Sequence, residues 1–272
     1  MSRLEETFRA LREAGRTGLV AYLTAGYPSV EETLRLVPAL VEGGADVVEL
    51  GVPFSDPLAD GATIQRANFR ALQQGVTPGT CLELVAELRR RGLTAPLLLM
   101  GYYNPVVAWG EGAFVEAAAR AGADGLILVD LPPEEADGLR AACRAAGLDL
   151  VFLLAPTSTD ERIARVAAQA SGFIYCVSVT GVTGARSQLP PGLAEFVGRV
   201  RRRTDLPLAV GFGISTREHV EAVGRLADAA IIGSAIIDVV DRAGPSGAGR
   251  AGPDAAAQVR AYLETVTGRR RA

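Results

Sequence analysis

The most informative chemistry in the sequence is a carboxylate in the middle of an apolar run, Glu49 in VVELG (47–51). Successive side chains of a strand face opposite ways, so Glu49 faces away from Val48 and Leu50. If the strand belongs to a closed barrel, Glu49 points inward near the barrel's top. A carboxylate deprived of water there has a raised pKa and exchanges protons near neutral pH. A structural ion pair with Arg is the alternative, but the apolar runs of this chain contain no Arg.

A second carboxylate, Asp60, follows in the loop PFSDPLADG (53–61), which is rich in turn-forming residues. From this loop Asp60 can reach over the same barrel mouth as Glu49. Two carboxylates in different environments can act as an acid and base pair. Asp56 of the same loop either caps a turn or contacts a partner. The spacing therefore predicts proton-transfer chemistry carried by Glu49 and Asp60.

Two absences narrow the chemistry further. All 28 basic residues are Arg and the chain has a single His, His219. Without Lys, neither a Lys Schiff base nor a covalently held pyridoxal phosphate can form, and one His excludes a site with several His ligands. The three Cys residues lack the spacing of metal ligands. We therefore predict no metal and no cofactor in this chain.

Charge and hydropathy exclude other classes of function. The net charge of −3 gives no electrostatic basis for binding nucleic acid. No apolar run approaches the roughly 20 residues that a membrane span needs. The N-terminal stretch MSRLEETFRALREAG is amphipathic and charged, unlike a secretory signal. These features predict a cytoplasmic protein that binds neither nucleic acid nor membrane.

Short apolar runs recur along the chain and alternate with helical patterns. Almost continuous apolar runs are typical of parallel strands that are buried on both faces. One helical segment, 29–44, places Val30, Leu34, Val37 and Val41 on one face. The eight apolar runs are 18–26, 45–51, 96–102, 124–130, 148–155, 172–178, 206–213 and 228–235.

Eight strand–loop–helix repeats predict an α/β fold, a (β/α)8 TIM barrel. An extra N-terminal helix over 2–14 and a last helix in DAAAQVRAYLETVTG complete the expected architecture. We predict one barrel domain over 1–272. A doubly wound open sheet is the alternative, but its strand count is usually lower and no GxGxxG motif follows the first strand.

Two glycine-containing strand ends predict a phosphate site. Strand 7 ends in GFGIST, with Gly211 and Gly213, and strand 8 ends in IIGSA, with Gly233 and Ser234. Glycine lets a ligand approach the backbone, and a following helix N-terminus offers free N–H groups. The alternative is that each glycine only makes a tight turn. After strand 6, the loop 179–190 is long and rich in Gly, Ser and Thr, which predicts either a lid or a plain surface loop.

Five motifs together resemble the tryptophan synthase alpha chain family. They are ELGVPFSDPLADG (49–61), YNP (103–105), SGFIYCVSVTGVTG (171–184), GFGIS (211–215) and GSA (233–235). The resemblance covers almost the whole chain, and the first two motifs are the most specific. It implies cleavage of 1-C-(indol-3-yl)glycerol 3-phosphate into indole and glyceraldehyde 3-phosphate, a lyase reaction in tryptophan biosynthesis that needs no cofactor.

The resemblance also implies a role for each matching residue. Glu49 would move the protons, and Asp60 would bind the indole N–H and balance the positive charge of the protonated ring. Thr183 would bond Asp60 in a closed lid. Tyr22 and Met100 stand where Phe and Leu are common in the family, which leaves substrate affinity in doubt. The implied substrate-binding residues are Tyr22, Met100, Ile127, Val129, Tyr175, Thr183, Gly184, Gly211, Phe212, Gly213, Gly233 and Ser234.

A partner is implied in the same way. The family works with a pyridoxal-phosphate beta subunit in an αββα heterotetramer, to which indole is passed for synthesis of L-tryptophan. The exposed contact residues would be Pro53, Asp56, Asn104 and Pro105, in the loops after strands 2 and 3.

Four alternatives to this function remain. The chain could be another phosphosugar barrel enzyme, such as an isomerase or epimerase. It could be an indole-glycerol-phosphate synthase, which the lack of Lys disfavours. It could also be a free-standing lyase that releases indole, or a catalytically idle activator, which intact Glu49 and Asp60 disfavour.

Overall fold

The computed structural model is a closed barrel of eight parallel strands in the order β1 to β8, as the sequence predicted. It describes residues 1–178, 190–211, 213–243 and 254–269. The strands are β1 (Gly18–Thr24), β2 (Val47–Gly51), β3 (Leu97–Gly101), β4 (Gly125–Leu128), β5 (Asp149–Leu154), β6 (Ile174–Val177), β7 (Leu208–Gly211) and β8 (Ala229–Ile232).

Helices surround the barrel, and each strand lies within one of the predicted apolar runs. The α-helices of the described part of the chain are α1 (Arg3–Glu13), α2 (Val30–Glu42), α3 (Ala62–Gln73), α4 (Pro78–Arg90), α5 (Tyr103–Trp109), α6 (Glu111–Ala121), α7 (Asp137–Ala146), α8 (Asp160–Gln169), α9 (Leu193–Arg201), α10 (Arg217–Gly224), α11 (Ser234–Ala243) and α12 (Ala255–Thr267). A short 3-10 turn, Pro133–Glu135, precedes α7.

Two apolar cores hold these layers together. The larger core lies between the strands and the surrounding helices and includes Leu50 and Leu99. The smaller core fills the barrel interior and includes Val47 and Leu98. Because neighbouring side chains of a strand alternate, each strand contributes to both cores.

The predicted N-terminal helix closes one end of the barrel. Leu4, Phe8 and Leu11 of α1 belong to the interior core, and the rings of Phe8 and Phe173 lie 5.7 Å apart between centroids. Ser2 begins the helix as an N-cap whose side chain accepts a hydrogen bond from the backbone N–H of Glu5. Because α1 covers the amino-terminal end of the barrel, the open end is the one at which the strands finish.

The connections after β2 and β3 contain more helix than the sequence suggested. Two helices, α3 and α4, follow β2, and α5 begins directly after β3. Asn104 and Pro105, which we expected in a loop, lie in the first turn of α5. Proline is tolerated there because the first N–H groups of a helix have no partner within it. Among the described residues no helix is long and apolar enough to span a membrane.

Candidate active site

A cavity of about 300 Å³ opens at the carboxyl ends of the strands. This is the end at which barrel enzymes hold their active sites. The described residues that line it are Tyr22, Glu49, Asp60, Gly61, Ala62, Thr63, Ile64, Met100, Tyr175, Gly213, Ile214, Ser215, Ile231, Gly233, Ser234, Ala235 and Asp238. The structure thus brings both predicted carboxylates into one cavity.

Glu49 lies inside the barrel and is fully buried. It is in register with Tyr22 of β1 and Leu98 of β3, and Leu98 belongs to the interior core. Neither carboxylate oxygen has a hydrogen-bond partner among the described residues. Burial therefore raises the pKa of Glu49 to about 8. At neutral pH the side chain is mostly protonated and can donate a proton into the cavity.

Asp60 is held by hydrogen bonds that Glu49 lacks. The Tyr102 hydroxyl donates to its Oδ2 at 3.2 Å, and Asn68 Nδ2 donates to the same oxygen at 3.3 Å. Burial raises the pKa of Asp60, and these two hydrogen bonds lower it, leaving it at about 6. Gln65 of α3 also donates to the backbone oxygen of Asp60 at 2.8 Å. At neutral pH Asp60 is mostly ionised, in contrast to Glu49.

Tyrosine hydroxyls surround the two carboxylates. Tyr22 and Tyr175 line the cavity and are buried, and burial together with the negative charges of Glu49 and Asp60 raises the pKa of both phenols. The hydroxyl of Tyr22 lies 3.2 Å from Thr24 Oγ1. These phenols therefore stay protonated across the physiological pH range. They offer hydrogen-bond donors and ring faces, but no additional charge.

The other end of the cavity is built by the segments after β7 and β8. Gly213 has a φ of 76°, and a Cβ added there would meet no atom within 4 Å, so its backbone faces open space. Helix α11 begins at Ser234, and the first N–H groups of a helix, here those of Ser234 and Ala235, have no partner inside it. Free N–H groups and the positive end of the helix dipole favour an anion such as phosphate.

Helix α10 contributes less to this end than predicted. Its N-cap Thr216 already accepts the backbone N–H of His219, and the N–H of Ser215 donates to His219 Nδ1 at 3.4 Å. The imidazole is buried. The backbone groups at this end that could bind an anion therefore belong mainly to Gly213 and the start of α11.

Three of the resemblance-based binding residues lie outside the cavity lining. Ile127 is buried in the interior core, with Met100 packed against that core. Val129 lines a separate cavity beside Asp130. Gly211 lies behind Tyr175, where a Cβ would collide with the phenol, so its lack of a side chain makes room for that ring. Thr183, Gly184, Phe212 and the loop predicted as a lid (179–190, apart from Pro190) lie outside the described residues.

Several lining residues were not predicted. Thr63 and Ile64 belong to α3, which the sequence reasoning did not place, and Asp238 belongs to the second turn of α11. Ile231 was overlooked because it looks like any other apolar strand residue. Asp238 could have been found from the helical period, because it follows Ser234 by four positions and therefore lies on the same face of α11.

The predicted partner-contact residues differ in exposure. Asp56 and Asn104 are exposed and Pro105 is half-buried, but Pro53 is buried, so the expectation of an exposed Pro53 was wrong. Pro53 lies two residues after the end of β2 and is shielded there, whereas the chain emerges into solvent only from Ser55 onward.

The arrangement defines a class of protein: a (β/α)8 barrel with two carboxylates and the start of a helix in one cavity. Residues 8–264 match the family model described as tryptophan synthase alpha chain. The tryptophan synthase alpha chain of Roseiflexus sp. (strain RS-1) is 60% identical over 90% of this chain and 94% of its own.

Solved structures agree with the sequence comparison. Tryptophan synthase subunit alpha from Legionella pneumophila str. Paris matches with a TM-score of 0.89 and 38% identity, covering 98% of both chains. A chain of Mycobacterium tuberculosis tryptophan synthase matches with a TM-score of 0.88 and 38% identity, covering 100% of this chain and 99% of the other. This chain belongs to the tryptophan synthase alpha chain family.

Proposed function

We propose that the chain cleaves 1-C-(indol-3-yl)glycerol 3-phosphate into indole and glyceraldehyde 3-phosphate. The carrying observation is Glu49, a buried carboxyl without a hydrogen-bond partner among the described residues, in one cavity with Asp60. Burying a carboxyl without a partner costs stability, so a protein retains one where function requires it. Family membership supports the general lyase activity, and the cavity supports this particular reaction.

The two protonation states suit the chemistry that cleavage requires. With a pKa of about 8, Glu49 carries a proton at pH 7, and with a pKa of about 6, Asp60 is an anion. Glu49 protonates C3 of the indole ring, which places a positive charge on the ring nitrogen. Asp60 accepts a hydrogen bond from that N–H and stabilises the cation in a site with little water.

The bond between C3 and the first glycerol carbon then breaks. Its electron pair returns to the ring and restores the aromatic indole. The hydroxyl on the glycerol carbon loses its proton to the Glu49 carboxylate, and that carbon becomes the aldehyde. Glu49 is thereby protonated again, so proton and electron pair are both accounted for without a cofactor or Lys. The phosphate stays at the end built by Gly213 and Ser234.

Substitution of Glu49 tests the reaction. Glu49→Gln keeps the shape of the side chain but cannot transfer a proton, and losing an acid or base typically lowers the rate about 100- to 10,000-fold. Asp60→Asn should cost a similar factor because an amide does not balance the ring cation. Indole release in a single turnover measures both losses, while substrate binding should persist.

Asp149→Asn is the matched control for Glu49→Gln. Asp149 is also buried and burial also raises its pKa, but it lies at the start of β5, at the opposite end of the barrel. The substitution Asp149→Asn should leave the rate of indole release unchanged. A Glu49→Gln protein that cleaves the substrate at the wild-type rate would remove Glu49 from the mechanism.

We also propose that the chain docks a beta subunit through the open end of the barrel, in an αββα assembly. Indole leaves through this end, and pyridoxal phosphate would reside in the partner because this chain has no Lys to hold it. Large apolar side chains are exposed here: Leu58 at 93% in the Asp60 loop, and Val107 at 51% and Trp109 at 44% in α5. Large exposed apolar side chains of this kind are available for a contact with another protein.

Docking of the partner should raise activity, because Leu58 and Asp60 share one loop and a partner that covers the loop would order it. We expect the beta subunit to increase indole-glycerol-phosphate cleavage at least about 10-fold, a coupling within the usual range. Asp56→Ala should weaken this activation more than it lowers basal activity. A flat response to titration with beta subunit would favour a free-standing lyase.

A further inference from the structure

The anion end of the cavity carries a negative side chain, and among the described residues that line it none is basic. The acidic residue is Asp238, in the second turn of α11. Residues four apart share one face of a helix, and helical side chains lean toward the N-terminus. Asp238 therefore leans toward the turn that begins at Ser234, and Ser234, Ala235 and Asp238 all line the cavity.

Neighbours from α3 hold this carboxylate in place. Thr63 Oγ1 donates to Asp238 Oδ1 at 3.4 Å, and Arg66 Nη2 lies 3.9 Å from the same oxygen. Arg66 pairs more closely with Asp241 than with Asp238, and it does not line the cavity. The positive charge of Arg66 is thus shared between two carboxylates and offsets the charge of Asp238 only in part.

We infer that Asp238 weakens the binding of the phosphate group and so sets its affinity. This inference rests on the proposed phosphate position beside Gly213 and Ser234. Repulsion between a dianion and a carboxylate across one wet cavity should lower affinity roughly 3- to 10-fold. Weaker binding at this end lets the phosphorylated product leave, because repulsion acts on substrate and product alike.

Asp238→Asn tests the inference, since the amide oxygen still accepts the Thr63 hydrogen bond while the charge is lost. The probe is inorganic phosphate, titrated calorimetrically into the isolated chain. We expect its Kd to fall about 3- to 10-fold and KM for the phosphate substrate to fall by the same factor, with kcat within twofold. A lower KM with unchanged kcat marks the loss of a repulsion that acted equally on the bound substrate and the transition state. Added salt should reduce the difference in phosphate affinity between variant and wild type, because it screens the repulsion.

Glu116→Gln is the matched control. Glu116 is an exposed carboxylate of α6 that pairs with Arg120, and neither residue lines the cavity. It should leave phosphate affinity unchanged, and melting temperatures would verify that both variants fold. Equal tightening by Glu116→Gln, or none by Asp238→Asn, would overturn the role of Asp238 alone. A wild-type chain that fails to bind phosphate would instead overturn the phosphate site, and with it this inference.

Discussion

At the residue scale, the decisive feature is that two carboxylates in one cavity have different pKa values. Glu49 loses water and gains no hydrogen bond among the described residues, so its pKa rises to about 8. Asp60 is less buried and accepts two hydrogen bonds, so its pKa rises only to about 6. The same residue class therefore supplies an acid and an anion at neutral pH, as in other enzymes that separate two carboxylates by environment.

This separation predicts a bell-shaped pH dependence of kcat/KM for indole release. Below pH 6 Asp60 is protonated and no longer balances the ring cation. Above pH 8 Glu49 loses the proton that it must donate. We expect limbs near pH 6 and pH 8, because kcat/KM reports ionisation of the free enzyme. A rate that stays constant from pH 5 to pH 9 would contradict the assignment of both groups.

The acidic limb should move when the hydrogen bonds to Asp60 are removed. Tyr102→Phe deletes a donor that lowers the pKa of Asp60, so the limb should rise by roughly half to one pH unit. Asn68→Ala should act in the same direction. Tyr103→Phe is the control, because the Tyr103 hydroxyl donates to Glu111 and not to Asp60. A limb that stays in place in both Tyr102→Phe and Asn68→Ala would mean that another group titrates there.

The sequence predicted some of these residues better than others. Glu49 was identifiable because a carboxylate inside an apolar strand breaks a simple pattern. Asp60 was identifiable because it follows in a loop at the same barrel mouth. Tyr102 and Asn68 were not, since a hydrogen bond between side chains 42 or 8 positions apart leaves no local signal. Their roles depend on how α3 packs against the mouth.

At the element scale, a repeated contact joins the strands at the closed end of the barrel. Asp46, Asp124 and Asp228 each precede a strand and accept the backbone N–H of a residue on a neighbouring strand: Leu19 at 2.9 Å, Leu97 at 2.7 Å and Leu208 at 2.8 Å. Each of these carboxylates also pairs with Arg: Arg16 and Arg269 with Asp46, Arg3 and Arg89 with Asp124, and Arg12 and Arg201 with Asp228. The closed end is therefore built for stability.

Asp124→Ala should measure that contribution. It leaves the buried N–H of Leu97 without its acceptor and removes the carboxylate that pairs with the half-buried Arg89, which should cost about 2–4 kcal/mol of unfolding free energy. Asp137→Ala is the control, because its pair with Arg140 is largely exposed and should cost less than about 1 kcal/mol. Urea unfolding measures both. Equal losses in the two variants would show that the Asp124 contacts contribute no more than a surface pair.

The elements themselves were more predictable than their packing. Every strand lies within a predicted apolar run, because burial on both faces demands apolar residues throughout. For α2 the predicted buried face was only partly right. Val37 is buried as expected, but Leu36 and Leu40 are more buried than Val30 and Leu34. This helix packs against the strands and also against α4 and α12, so its buried face is wider than one stripe.

At the scale of the whole molecule, buried carboxylates have different surroundings at the two ends of the barrel. At the closed end Asp46 and Asp124 pair with Arg, whereas at the open end Glu49 has no partner among the described residues. An unpaired buried carboxyl costs stability whenever it must ionise. The proposed catalytic site is therefore also a place where the fold is weakened, as is common for functional sites.

This weakness predicts a pH-dependent stability difference between wild type and Glu49→Gln. Burial raises the pKa of Glu49 from 4.5 to about 8, so the protonated form stabilises the fold fully below pH 4.5, and that stabilisation is lost as pH rises to 8. Gln does not titrate. The free energy of unfolding of the variant, relative to that of wild type, should thus rise by about 2–4 kcal/mol between pH 4.5 and 8. It should rise no further above pH 8. Asp60 titrates in both proteins, so its contribution to the stability difference cancels.

Urea unfolding of both proteins at pH 5, 7 and 9 measures this difference, with calorimetric melting as a second readout. Glu42→Gln is the control: Glu42 is an exposed partner of Arg260, and its replacement should change stability little at any of these pH values. If the stability of Glu49→Gln relative to wild type fell as pH rises, the fold would favour ionised Glu49 through a stabilising partner. In that case Glu49 could not hold the proton that cleavage requires at neutral pH. The stability measurement thus tests the same protonation state as the kinetics, without depending on turnover.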